Sequence, residues 1–388
     1  MTRILLSPSA YYPSLGGVEE IARNLAIALR HKGYEVAIAT NQHPADLPAH
    51  EIHEGIDVYR MPFEYPSRSA SGILAASRAP LRIGNFLRFV QSYAPDVVHV
   101  VCPSSNSLYC YVAKKVLRTK LLVTLQGEFF MDANQIYQKS AFARFCASQL
   151  LNSADAVTAC SQYVLDDARN RFNFQAPVEE VLFNGVDLSE PISPQEDTLP
   201  KKPYIFAIGR LVQNKGFDYL LRSYHLMSKN SAADLVLAGD GDAAESLKNL
   251  ASELQISDRV HFVGRQGRGE VARYFKNCMF FVLPSHIEPF GIVCLEAMRA
   301  GKPVVATRAG GPPEFIEENI TGLLVESQNE SELAQAMQRL CSDKKLVNTM
   351  GKNASEKVAE FSWLKITEKY VALYEDLLGA KKSAPVLS

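Results

Sequence analysis

Two glutamates eight positions apart, Glu288 and Glu296, frame a Phe-Gly turn in SHIEPFGIVCLEAMRAGKPVVAT, residues 285–307. Phe290-Gly291 opens a helical pattern through Val293, Leu295, Ala297 and Met298, so the amides near Gly291 point out of a helix start and are suited to phosphate. Glu288 then lies just before that start, and Glu296 five residues into it, roughly 7 Å farther at about 1.5 Å per residue. Carboxylates placed this way bracket a pyrophosphate and accept hydrogen bonds from sugar hydroxyls on either side, which is the shape of a nucleotide-sugar. Each also has a plainer use: Glu296 as a first-turn acid favoured by the helix dipole, Glu288 as a surface charge.

A second constellation is GRLVQNKGFDYLL, residues 209–221. Gly209 ends an apolar run, Arg210 and Lys215 occupy the loop, and a helix pattern begins at about Gly216. Two cations beside a helix start form an anion site, or else are two solvated loop charges. Position directly after a strand favours the anion site.

These residues need a scaffold that delivers loops to one edge. Short apolar runs alternate with helical patterns: RILLS (3–7), then Val18, Ile21, Ala22, Leu25 and Leu29, then YEVAIAT (34–40). The alternation continues through PDVVHVV (95–101), KLLVTL (120–125) and ADAVTACS (154–161), and near-continuous apolar runs of this length belong to buried parallel strands. A polar, proline-bearing interval, residues 187–203, reads as a linker. The pattern restarts with YIFAIG (204–209), LVLAG (235–239), RVHFVG (259–264), MFFVLPS (279–285), KPVVAT (302–307) and GLLVE (322–326). The chain is therefore α/β, with two doubly wound parallel-sheet domains, 1–186 and 204–360. A ligand is expected in the cleft between them, at the carboxyl ends of the strands. A last helical stretch, FSWLKITEKYVALYEDLL (361–378), follows a complete second sheet and is expected to pack back on the first domain.

Composition removes several classes. A chain of 388 residues exceeds one core, and 47% hydrophobic with 21% charged residues fits a globular protein. A net charge of −1, balanced in both halves, offers no field for nucleic acid. Seven cysteines in no CxxC spacing fit reduced thiols and a cytoplasmic setting. No run of about 18 apolar residues crosses a membrane, and no G-x-G-x-x-G opens a helix after a strand, which disfavours NAD. His50 and His53 lack partners for a metal site, and GDGD (239–242) is a turn, not a calcium loop. In SRAPLRIGNFLRFVQSYAP (77–95), Arg82 and Arg88 beside Leu81, Phe86, Leu87 and Phe89 allow contact with an anionic membrane surface, against the plainer reading of a packed helix.

Together the motifs resemble those of the glycosyltransferases of family 4, which have the GT-B fold. EPFGIVCLEAMRAGKPVVAT is similar to the family's E-x7-E element, GRLVQNKG to its donor-phosphate loop, and FNGVD (183–187), LVLAGDGD (235–242), VHFVG (260–264) and AGGPPEFIEENITGLLV (309–325) follow in order. The resemblance implies Rossmann-like domains, acceptor-binding over 1–186 and donor-binding over 204–360. It also implies retaining, metal-independent transfer of a hexose-type sugar from UDP, GDP or ADP to a carbohydrate or lipid-linked acceptor, with no cofactor. It places Arg210 and Lys215 on the diphosphate, Glu288 on the sugar hydroxyls and Glu296 on the ribose. Gly16 and Gly17, in YYPSLGGVEE, would approach donor phosphate and acceptor, or serve simply as a tight turn. The substrate-binding set is completed by His99, Gln126, Asn184, Gly209, Gly264, Arg265, Pro289, Phe290, Gly291 and Ile292. His99 has an equal reading as a core imidazole.

One departure concerns LLVTLQGEFF (121–130), where many relatives have a histidine and this chain has Gln126. Glutamine holds a hydroxyl but carries no proton at neutral pH, so charge stabilisation by Arg210 and Lys215 becomes the main work. A sugar-nucleotide epimerase or hydrolase, and a non-catalytic nucleotide-sugar sensor, remain the alternatives. Acceptor choice is expected from YYPSLGG, residues 65–77 and QGEFFMDANQIYQ (126–138).

Overall fold

The computed structural model describes residues 1–14, 16–65, 70–131, 135–189, 200, 202–229 and 231–379, excepting the side chains of 70–76. Parts of all three expected acceptor loops (15, 66–69 and 132–134), most of the expected linker (190–199 and 201) and the tail 380–388 lie outside the described residues. The chain divides into two compact units, the first formed by Met1–Asn184 with Trp363–Ser388, the second by Gly185–Ser362.

The first unit has eight strands: β1 Arg3–Pro8, β2 Glu35–Asn41, β3 His50–His53, β4 Ile56–Met61, β5 Val97–Val101, β6 Lys120–Leu125, β7 Ala156–Ala159 and β8 Glu179–Val181. They lie in the order β3-β4-β2-β1-β5-β6-β7-β8, parallel except that β3 runs antiparallel to β4. All five residues of β5 are buried, as expected for a strand covered on both faces. Between β1 and β2 runs the helix Gly17–His31, which buries Ile21, Ala22, Leu25, Ala26 and Leu29 on one stripe and carries acids in its first turn and bases in its last. The hairpin β3-β4 is absent from the sequence reading because HEIH alternates exposed and half-buried positions at a sheet edge. Its two-residue turn, Glu54-Gly55, has positive φ at both residues. His50 there bonds Asp57 Oδ1 at 2.8 Å, and His53 stacks on Tyr12.

The helix Trp363–Leu378 belongs to this first unit and ties to it through specific contacts. Lys32 Nζ pairs with Glu368 Oε1 at 2.9 Å, and the Tyr374 hydroxyl meets His99 Nδ1 at 2.7 Å. The helix Ala70–Tyr93 buries Phe86 and Val90, while its Arg82 pairs with Glu64 at 2.6 Å.

The second unit has six parallel strands: β9 Tyr204–Ile208, β10 Asp234–Ala238, β11 Val260–Gly264, β12 Phe281–Leu283, β13 Val304–Thr307 and β14 Gly322–Val325. Their order is β11-β10-β9-β12-β13-β14. Strand order reverses between β9 and β12, the place at which open α/β sheets bind ligands, at the carboxyl ends of the strands. Ile205, Ala207, Leu235, Leu237, Val282 and Val305 are all buried in the core that fixes this edge.

Candidate functional site

The loop after β9 forms a 3₁₀ turn, Gln213–Lys215, before the helix Phe217–Ser228 begins at Gly216. The loop after β12 ends at Gly291, which stands in the left-handed region as N-cap of the helix Ile292–Arg299. Because Gly291 has no side chain to cap with, the first turn receives no side-chain acceptor from it, and only the Cys294 N–H is taken by its carbonyl, at 2.8 Å. These two loops meet at the reversal point. Lys215 Nζ donates to Glu288 Oε2 at 2.7 Å, and Ser285 Oγ donates to the same oxygen at 2.9 Å. Ser285 is in turn held by Thr307 Oγ1, which donates to its carbonyl at 2.7 Å.

The loop after β13 locks this arrangement from the other side. Glu288 N–H donates to Ala309 O at 3.1 Å, and Gly311 N–H donates to Glu288 O at 2.9 Å. Between them Gly310 has φ +99°, and a Cβ there would stand 1.9 Å from the Glu288 carbonyl oxygen. Only glycine accepts both that dihedral and that approach. Glu288 is 8% exposed and so is no surface charge.

The other donor-side residues fall on the same edge. Arg210 is exposed and its side chain makes no hydrogen bond or ion pair among the described residues, whereas Lys215 is half-buried. Gly209 follows β9 and donates its N–H to Ala238 O, and Gly264 ends β11 with φ +70° beside the exposed Arg265. Pro289 and Phe290 are buried, and Ile292 and Glu296 half-buried. Sequence reasoning missed Ser285 and Thr307, whose roles arise from register between β12 and β13 rather than from any motif.

In the first unit, Gln126 follows β6 and pairs reciprocally with Asn184: Gln126 Nε2 donates to Asn184 Oδ1 at 3.1 Å and Asn184 Nδ2 to Gln126 Oε1 at 2.9 Å. Gly16 has extended backbone, φ −169°, and Gly17 is the first residue of its helix. A Cβ on Gly16 would stand 2.8 Å from Glu19 Oε2, so Gly16 makes room for a carboxylate of its own unit, one whose other oxygen accepts from Ser14 Oγ at 2.7 Å. His99 requires correction. It is fully buried, its Nε2 meets Thr124 Oγ1 at 2.6 Å and its Nδ1 meets Tyr374, so it is a core imidazole with both nitrogens spent. Burial holds it neutral, down to about 3.

Among the described residues no three His, Cys, Asp or Glu side chains stand together as metal ligands, and no helix is long and apolar enough to cross a membrane. Six cysteines are buried thiols and Cys341 is half-buried.

The profile described as a glycosyl transferase 4-like domain matches residues 16–185, and that described as glycosyl transferases group 1 matches 189–357. N-acetyl-alpha-D-glucosaminyl L-malate synthase of Bacillus anthracis is 28% identical over 97% of this chain and 98% of its own length. An uncharacterized glycosyltransferase of Methanocaldococcus jannaschii is also 28% identical, over 96% of this chain and 98% of its own. Among solved structures, sucrose-phosphate synthase from Thermosynechococcus elongatus superposes with a TM-score of 0.82 at 24% identity, over 98% of this chain and all of that one. Anabaena HepE in complex with UDP superposes with 0.76 at 20%, over 97% of this chain and all of that one. With both profiles in sequence and the sheet topology in agreement, the chain belongs to the glycosyltransferases of family 4 and has the GT-B fold.

Proposed function

We propose that this glycosyltransferase moves a hexose-type sugar from a nucleoside-diphosphate donor to a hydroxyl-bearing acceptor with retention at the anomeric carbon. The observation that carries the reading is the Lys215–Glu288 contact at the strand-order reversal of the second unit, with Arg210 exposed on the same loop. An incoming diphosphate finds two cations and the helix start at Gly291, and a sugar linked to it finds the carboxylate of Glu288. Support for the donor class comes from the HepE structures, solved with UDP and with UDP-glucose.

In the proposed step, the acceptor oxygen bonds to the anomeric carbon on the face from which the donor phosphate leaves. The bond from that carbon to the phosphate oxygen breaks, its electron pair goes to the diphosphate, and the acceptor proton passes to a phosphate oxygen. No enzymic nucleophile is required. Arg210 and Lys215 stabilise the charge growing on the diphosphate, and no resident metal or cofactor enters the step. Glu296 is assigned to the ribose and the backbone around Gly264 and Arg265 to the base. The first unit, with Gln126 and Asn184, is assigned to the acceptor, a glycan, a lipid-linked glycan or a small molecule. In the helix Ala70–Tyr93, Phe86 and Val90 turn inward and Arg82 pairs with Glu64, while Leu81 and Arg88 are exposed.

The test is a thermal-shift screen of UDP, GDP, ADP and their sugars, followed by product analysis with the best donor. A hundredfold excess over Kd raises stability by about 2.7 kcal/mol. An axial-to-axial or equatorial-to-equatorial product anomer by NMR supports retention, and an inverted anomer overturns it. Epimer or free sugar without acceptor identifies an epimerase or hydrolase, and binding with no turnover over a broad acceptor panel identifies a sensor.

A further inference from the structure

The sixth strand of the first unit is followed by Gln126-Gly127-Glu128, and the carboxyl of Glu128 has a hydrogen bond at one of its two oxygens only. Gly127 has φ +89°, which folds the chain so that Glu128 Oε2 accepts the Gln126 N–H at 2.7 Å. The other oxygen, Oε1, is buried and has no hydrogen-bond partner among the described residues. An orphaned buried carboxyl oxygen is costly, and a side chain needed only to cap the turn would gain nothing from it.

Beyond its own turn, the groups that act on this carboxyl come from two elements. Cys102, which follows β5 with φ +62°, brings a buried thiol close enough to act as a weak hydrogen-bond donor to the carboxyl, which favours the charged form. Asp167, on the helix Gln162–Phe172, opposes ionisation and is itself held by Arg171 Nε at 2.7 Å. Cys102 in turn interacts with Ser9 after β1, Glu19 of the helix Gly17–His31 and Cys160 after β7. Burial is the largest influence on Glu128 and no cation figures among those that shift it, with the result that its carboxyl is lifted to about 8 and stays neutral at pH 7. Since Oε2 accepts an N–H, Oε1 is the oxygen free to carry the proton of the neutral acid. Strand order in this unit reverses between β1 and β5, so Ser9 and Cys102 lie at the reversal point and Glu128 at the end of the next strand, β6.

We propose that Glu128 is a positioning residue for the acceptor, donating its Oε1–H to an acceptor oxygen other than the attacking one. This assignment rests on the reading of the first unit as acceptor-binding. It also explains how a chain with Gln126 in place of a histidine still presents a titratable group beside that position.

The experiment uses the full chain with UDP-glucose as donor and a panel of methyl glycosides, glycerol and L-malate as acceptors, measuring acceptor KM and kcat from pH 6 to 10. Wild type is expected to lose acceptor affinity above about pH 8. Glu128→Gln keeps an acceptor for the Gln126 N–H and a donor in place of the neutral acid, so it should rescue KM to within about threefold and lack the alkaline decline. Glu128→Ala should raise KM about tenfold or more at every pH while the UDP-induced thermal shift stays as in wild type. An alkaline limb that persists in Glu128→Gln, or a Glu128→Gln variant as poor as Glu128→Ala, reduces Glu128 to a turn cap and overturns the proposal, as does a panel with no acceptor used by wild type. Absence of any nucleotide shift in wild type instead sinks the donor reading, so the two failures are told apart.

Discussion

Lys215 Nζ stands 2.7 Å from Glu288 Oε2 although the two residues are 73 apart in the chain, and this contact makes a cation and a carboxylate of the candidate site into one unit. The two side chains are only 16% and 11% exposed, so separating them leaves charge in a poorly hydrated place. Lys215 therefore supports both the fold of the second unit and the proposed chemistry, whereas the exposed Arg210 supports only the second.

Arg210→Ala and Lys215→Ala should accordingly differ in kind. Arg210→Ala is expected to cost about a hundredfold in turnover, on the order of 3 kcal/mol, with stability within about 0.5 kcal/mol of wild type. Lys215→Ala should lose at least as much turnover and also about 2 kcal/mol of stability, because the Glu288 carboxylate then keeps only Ser285 as a partner. Urea denaturation alongside kinetics separates the two, and equal stability of both variants contradicts the pairing described here.

Gly310 offers a test of backbone geometry rather than charge. A methyl group there meets the Glu288 carbonyl and imposes a left-handed conformation on alanine, so the loop after β13 must move off the loop after β12. Gly310→Ala is expected to destabilise by about 2 kcal/mol or more and to abolish the nucleotide-induced thermal shift. Gly264→Ala, with positive φ but open space around it, should cost only about 1 kcal/mol. A Gly310→Ala variant as stable as Gly264→Ala counts against the close approach.

Much of this edge was legible in advance, and the reason is periodicity. Runs such as YIFAIG and PVVA are apolar throughout because β9 and β13 are covered on both faces, and a glycine-bearing loop after each strand marks where the chain leaves the sheet. Glu288, Arg210 and Lys215 lie in loops that carry these signals, and Glu296 in the helix that follows one of them. What pairs with what was not legible: the Lys215–Glu288 contact and the support of Ser285 by Thr307 depend on strands far apart in sequence becoming neighbours. His99 misled for a related reason. A histidine near a strand end looks poised for ligand until the helix Trp363–Leu378, from the other end of the chain, is seen to bury it. Glu128 escaped notice because nothing in QGEFF signals which carboxyl oxygen will be left without a partner.

His99 should behave as a stability residue. Its folded value is lowered to about 3 from 6.5, so its contribution is fully present above pH 6.5 and is lost as pH falls from 6.5 toward 3, at about 1.4 kcal/mol per pH unit. His99→Phe removes the bonds to Thr124 and Tyr374 and is expected to destabilise by about 2 kcal/mol at pH 7 with the nucleotide shift unchanged. The gap between variant and wild type should narrow as pH falls from 6.5 to 5, measured by urea titration at each pH. A constant gap contradicts a neutral buried imidazole, and a changed nucleotide or acceptor affinity returns His99 to the ligand-contacting set.

The Gln126–Asn184 pair yields to a double-mutant cycle. Each amide satisfies the other through two bonds of 3.1 and 2.9 Å, and Asn184 is 3% exposed, so removing either partner strands a polar group that water reaches poorly. Gln126→Ala and Asn184→Ala are each expected to cost about 1.5 kcal/mol, and the double variant little more than either alone, a coupling of about 1 kcal/mol. The same pairing orients the Gln126 side chain where relatives carry histidine, so both single variants should raise acceptor KM with little change in donor affinity. Additive losses in stability would show that the amides act independently. A donor affinity that falls in both would instead move this pair from the acceptor to the nucleotide-sugar.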